Sequence, residues 1–173
     1  RPLPRALDAG IDGVEFTPLG GTEPMSWEAS LAANYTDGIL ILHEGEIVYE
    51  RYSGCLDEAG SHAAMSMTKS LTGLLAEILV AEGRLDETAT VGSLVPELAA
   101  SAFGNATVRQ VMDMTTALDY SEEYADPNAD IWAYSRAASP LPKPAGYTGP
   151  DGYFDYLRTV RPAGAHGRAF GYR

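Results

Sequence analysis

Apolar positions change their period along this chain, and each change marks a different element. Gly38-Ile39-Leu40-Ile41-Leu42-His43 is an almost unbroken apolar run, followed after Glu44-Gly45 by Glu46-Ile47-Val48-Tyr49-Glu50-Arg51-Tyr52. Two such runs joined by a Gly-containing dipeptide predict a β-hairpin. The first run is apolar on both faces and predicts cover on both sides; the second, with Glu46, Glu50 and Arg51, reads as a strand nearer a rim. From Ser66 the period becomes helical. Leu71, Leu74, Leu75, Ile78 and Leu79 fall on one face, and Ala76, Val80 and Ala81 make the remainder largely apolar. A helix apolar nearly all round predicts a place in the centre of a domain, with Gly83 as its C-terminal stop.

Weaker patterns surround these two. Ser26-Trp27-Glu28-Ala29 opens a short helix that runs to about Asn34, with Ser26 as N-cap. Thr107 caps another from Val108 to about Met114, with Val108, Val111 and Met112 facing inward. Residues 1–24 are rich in Gly and Pro without a period and read as an extended N-terminal arm. Past Asp130 the period fades. Ser139-Pro140-Leu141-Pro142-Lys143-Pro144 suits neither a helix nor a central strand, and Tyr153 to Val160 predicts one more short helix. Strands followed by helices predict an α+β layout, with 25–173 as the N-terminal part of a single domain whose late strands are missing from the chain.

Composition narrows the function. The formal charge of −12 argues against nucleic acid or an anionic membrane surface as partner. No window approaches the ~20 apolar residues of a membrane span, and Arg1-Pro2-Leu3-Pro4-Arg5 lacks the core of a signal peptide. Cys55 is the single cysteine, so no disulfide closes within the chain. That suits a reducing, cytoplasmic compartment. His43, His62 and His166 lack ligand spacing and read as surface or loop residues, so no metal or cofactor is expected. The acidic group Glu122, Glu123, Asp126 and Asp130 does not fit a calcium loop and reads as a solvated loop that favours an amine-bearing substrate. No G-x-S-x-G elbow occurs, which argues against an α/β-hydrolase triad.

Only two lysines are present, Lys69 and Lys143, and the first sits in Ser66-Met67-Thr68-Lys69 at the start of the apolar helix. Three helical residues bring the amine onto the face of the hydroxyl. A serine hydroxyl attacks only when a base takes its proton, and desolvation lets a lysine serve as that base. The neighbours at helical spacing, Met65, Thr72 and Gly73, are apolar or small, and the nearest carboxylate on the helix is Glu77. The first N–H groups of a helix lack internal partners, so the Ser66 N–H can supply half of an oxyanion hole.

On these residues the chain resembles the serine β-lactamase, DD-peptidase and class C-type esterase superfamily. Met65-Ser66-Met67-Thr68-Lys69-Ser70 is similar to its nucleophile segment. Gly83-Arg84-Leu85-Asp86 with Leu94-Val95-Pro96-Glu97-Leu98, and Thr107-Val108-Arg109-Gln110-Val111-Met112, resemble the passages that follow. Leu118-Asp119-Tyr120-Ser121-Glu122-Glu123-Tyr124-Ala125-Asp126-Pro127 and the aromatic-x-Tyr of Phe170-Gly171-Tyr172 are most similar to 6-aminohexanoate-dimer hydrolases and related carboxylesterases. The resemblance implies a β-lactamase/transpeptidase-like fold with the first sheet strands and the helical subdomain. It also implies Ser66 as acylated nucleophile, Lys69 as its base, Tyr172 as proton shuttle to the leaving group and Tyr124 as a substrate contact.

The chain stops at Arg173, before the Asn or Ser of the Tyr172 motif and before any K-T-G or H-x-G segment. Members of the superfamily are about twice as long, so the expected partners are a small ester or amide and the C-terminal remainder of the same enzyme. The function expected is ester or amide hydrolysis through an acyl-enzyme. Its alternative is a penicillin-binding or sensor module that is acylated without turnover.

Overall fold

The computed structural model describes residues 2–172, and these divide into two units, one reaching to Met65 and one starting at Ser66.

In the first unit the predicted hairpin forms with the predicted bounds, β3 Gly38–His43 and β4 Glu46–Tyr52, paired antiparallel. Glu44 (φ 50°) and Gly45 (φ 84°) both take positive φ, the requirement of a two-residue turn whose twist matches that of the strands. Ahead of the hairpin, β1 Glu15–Phe16 pairs with β2 Met25–Ser26. Helix α1 spans Trp27–Ala33, and the Ser26 hydroxyl accepts from Ala29 N–H at 3.1 Å as its N-cap. The arm is extended where it runs along β4: Ala6 N–H donates to Ile47 O and Ile47 N–H to Pro4 O, both at 2.9 Å.

Burial in this unit lies on β4 rather than β3. Ile47 and Tyr49 are buried, and Tyr49 packs edge-on against Trp27 with its hydroxyl donating to Asp12 at 2.7 Å. Leu40 and Leu42 of β3 are each 49% exposed. The cover expected over both faces of the first strand is therefore absent among the described residues. The arm and α1 pack on the second strand, while β3 has a partner along one edge only.

The second unit opens with α2, Met67–Ala81, closed by Gly83 at φ 68°. Its boundaries match the sequence reading; its surroundings do not. No residue of α2 is buried, and Leu71, Leu74, Leu75 and Ile78 are 44–63% exposed. An apolar face states what a helix needs against it, and the described residues do not provide it. After α3 (Val91–Leu94) comes α4, Val108–Met112, with a complete capping box: Thr107 Oγ1 accepts from Gln110 N–H, and Gln110 Oε1 accepts from Thr107 N–H. Val111, expected inward, is 42% exposed, because it lies on the wall of an open cleft.

The core of this unit sits where the sequence pattern was weakest. Leu118–Asp119 (β5) pairs with Arg161–Pro162 (β6), α5 spans Asp130–Ala138 and α6 spans Tyr153–Leu157. Leu118, Ala102, Ala137, Tyr156 and Val160 form the buried cluster. Lys143 closes α5: its Nζ donates to Arg136 O (2.7 Å), Ala137 O (2.8 Å) and Ser139 O (3.1 Å), satisfying carbonyls left open at the helix end.

Tyr156 donates its hydroxyl to Asp130 O at 3.1 Å. Burial, and then the Asp130 charge, push its phenol up to about 12. An unfolded tyrosine titrates near about 10. The folded protein thus holds this proton more tightly, and the resulting stability is complete below pH ~10 and lost as pH climbs towards ~12. Tyr156→Phe is expected to flatten that alkaline decline in urea unfolding measured at successive pH values. Residual slope remains from Tyr120 and Tyr134, which burial also shifts upward.

Candidate active site

The backbone takes an unusual course into α2. Met65 has φ 46°, a left-handed conformation costly for a side chain with a Cβ, and Ser66 follows as the N-cap in a helical conformation. Among the described residues no hydrogen bond occupies the Ser66 N–H. One helical turn on, Lys69 Nζ donates to Ser66 Oγ at 3.1 Å. The spacing read from the sequence therefore does bring the two groups into contact.

No carboxylate among the described residues pairs with Lys69, although Glu77 lies on the same helix. Glu77 is engaged by Arg109, whose Nη1 and Nη2 reach its two oxygens at 2.7 and 3.2 Å. Arg109 also binds Glu87 through Nε at 2.7 Å and Asp113 at 3.3 Å. These bonds hold the Glu77 carboxyl below its ordinary range and the guanidinium above its own. The brace fixes α2 to α4 and removes the one helix carboxylate that competes for the Lys69 amine.

Beside Lys69 opens a cleft of about 280 Å³, walled by Val111, Tyr120, Glu122, Tyr134, Tyr156 and Gly171 among others. Its lining is mainly apolar and aromatic, with Lys69 and Glu122 as the charged groups. That composition suits a small organic ligand. Tyr172 stands at the same end of the cleft, its ring centroid 5.5 Å from Lys69 Nζ, in cation–π range. Tyr124 donates to Glu122 Oε1 at 2.5 Å and packs edge-on to Trp132 at 6.0 Å. That bond raises the Tyr124 phenol above its ordinary range, with desolvation adding to it.

The structure thus gathers Ser66, Lys69 and Tyr172, with Tyr124 tied to the cleft through Glu122. It does not provide the water-free pocket expected around the first pair: Ser66 and Lys69 are both exposed, for the same reason that the apolar face of α2 is open. Two contributors were not singled out from the sequence. In the sequence Glu122 reads only as one of several loop acids, and Arg109 carries no signal beyond its place in a segment similar to the family's.

Comparison with known proteins extends this picture. The chain is 34% identical over 140 residues to the 6-aminohexanoate-dimer hydrolase of Paenarthrobacter ureafaciens, covering 81% of this chain and 35% of that one. A solved Bacillus anthracis protein, provisionally named a 6-aminohexanoate-dimer hydrolase, superposes with a TM-score of 0.82 at 30% identity. That match covers 99% of this chain and 45% of the other, so the chain spans less than half the length of either relative. The Beta-lactamase family matches residues 28–173. With most of its length matched and its mixed helix-and-strand fold shared with a solved hydrolase, this chain belongs to the Beta-lactamase family.

Proposed function

We propose that Ser66 is the nucleophile of a serine hydrolase that cleaves an ester or amide through an acyl-enzyme. The observation that carries this reading is the 3.1 Å contact between Lys69 Nζ and Ser66 Oγ at the mouth of the cleft. In the reactive state the amine is neutral and the bond reverses, with the Ser66 hydroxyl donating to Lys69. Lys69 takes that proton as Oγ bonds to the acyl carbon, and the carbonyl electron pair moves onto oxygen. The open Ser66 N–H donates to that oxyanion. Collapse breaks the bond to the leaving alcohol or amine, which receives the proton by way of Lys69 and Tyr172. Water then repeats the sequence and frees the acid.

Tyr124, with its hydroxyl turned to Glu122, serves as a substrate contact. Both relatives are named for a 6-aminohexanoate dimer, and a linear amide or simple ester is the substrate class proposed here. Lys69 needs a drier setting than the described residues give it. The C-terminal remainder of the same enzyme, covering the exposed Leu71, Leu74, Leu75 and Ile78, is the partner proposed to supply it. The charge of −12 on this chain argues against nucleic acid and anionic membranes as partners. Among the described residues no helix is long and apolar enough to cross a membrane, and the exposed free Cys55 goes with a cytoplasmic setting.

A chromogenic ester tests the reading. A burst followed by steady release of product is expected; a stoichiometric burst alone identifies an acylated sensor instead. Tyr172→Phe is expected to lower amide turnover about 10²-fold while leaving a p-nitrophenyl ester nearly unchanged. An amine leaves only with a proton, whereas p-nitrophenolate leaves without one. Equal losses on both substrates contradict the shuttle role.

A further inference from the structure

The loop that delivers Tyr172 is fastened to the 114–117 segment by a short ladder. Ala163 N–H donates to Ala117 O at 3.1 Å, Gly167 N–H to Thr115 O at 2.8 Å and Gly171 N–H to Met114 O at 2.9 Å. The return bond, from Ala117 N–H, goes to a side chain: His166 Nδ1 accepts it at 2.9 Å. The other ring nitrogen, Nε2, lies 3.1 Å from Asn105 Oδ1. A backbone N–H can only donate, so Nδ1 is bare. A neutral imidazole then carries its proton on Nε2, which donates to the Asn105 oxygen.

We propose that His166, locked in the Nε2–H tautomer between Ala117 and Asn105, is the positioning residue that holds Tyr172 beside Lys69. The proposal rests on the hydrolase reading for the task of Tyr172, but the tautomer and the clamp stand on the hydrogen bonds themselves. Among the described residues, Gly171 and Tyr172 have one backbone bond at their own level, to Met114. The His166 ring, again among the described residues, makes the side-chain hydrogen bonds that link this loop to the 105 and 117 segments. A carbonyl in its place could accept from Ala117 but could not also donate to Asn105. Protonation of Nδ1 sets a donor against the Ala117 N–H and breaks the clamp. The two groups it bonds, Asn105 and the Ala117 amide, are uncharged, and no ion pair among the described residues involves His166.

Gly167 gives the loop its shape. At φ 81°, a Cβ there would sit 2.9 Å from Gln110 Nε2 of the α4 capping box. The chain therefore turns tightly against α4 just where His166 enters.

The test combines ring nitrogen-15 shifts with rates of acylation of the protein by an anilide, an amide whose amine leaving group needs the proton that Tyr172 passes on. The wild type is expected to show Nδ1 bare and Nε2 protonated near neutral pH. His166→Leu is expected to slow acylation about tenfold or more, a modest loss for a displaced catalytic group. His166→Gln, which can accept and donate at once, is expected to recover most of the rate and to lose the part of the acidic decline that tracks protonation of the ring in the wild type. A protonated Nδ1 in the wild type overturns the proposal, and that measurement holds even if His166→Leu fails to fold. Equal rates in Leu, Gln and wild-type proteins overturn it as well. A wild type that is never acylated, yet shows the expected tautomer, refutes the hydrolase reading while leaving the clamp intact.

Discussion

A Lys69→Arg protein is expected to fold normally and to lose about 10³-fold in kcat/KM on a p-nitrophenyl ester. Arginine keeps the positive charge and a comparable reach, so a merely electrostatic or packing role for Lys69 would survive the change. What arginine cannot do is give up its proton, and the proposed chemistry requires a neutral nitrogen to receive one from Ser66. The substitution keeps the charge and a comparable reach, so thermal unfolding is expected to move little. Retention of wild-type turnover by Lys69→Arg removes the base from the mechanism.

The second large effect concerns the framework. Gly104→Ala is expected to destabilise the protein by about 3 kcal/mol, read as a lower denaturant midpoint. An ideal Cβ at this position falls 2.1 Å from Ala99 O and 2.7 Å from its carbonyl carbon, both backbone atoms that cannot swing aside. The neighbourhood is held closed by Val91 N–H to Ala106 O at 2.8 Å and Gly92 N–H to Gly104 O at 3.0 Å. Relief of the clash means opening that crossing, next to the Asn105 that anchors His166. A change within about 0.5 kcal/mol, ordinary for an exposed surface site, contradicts this close approach.

The elements legible from sequence were those whose signals are local. The hairpin has its turn dipeptide and two β-rich runs; α2 has its long apolar period and a glycine stop; α1 and α4 have capping side chains at Ser26 and Thr107. Helix α5 was missed because Ala129 offers no capping side chain and because Trp132, Ala133, Tyr134 and Ala137 mix aromatic with small residues. The two-residue strands β5 and β6 exist only through each other, and no period can announce them. Burial was the larger error. The apolarity of β3 and α2 specifies a need for cover, and whether these residues meet that need is not a local property.

The site divides in the same way. Ser66 and Lys69 were legible because three residues of helix fix their contact. Glu122 and Tyr124 lie two residues apart, but only the fold shows that they share a hydrogen bond at the cleft. In the sequence His166 reads as a surface or loop histidine. Its partners Asn105 and Ala117 lie 61 and 49 residues away, and no spacing rule reaches that far.

The most direct measurement is mass spectrometry of the protein after brief reaction with an activated p-nitrophenyl ester, with the acylated peptide mapped. The account predicts one acyl group, on Ser66, absent from Ser66→Ala and formed far more slowly in Lys69→Arg. An acyl group on any other residue, or equal labelling of all three proteins, contradicts it.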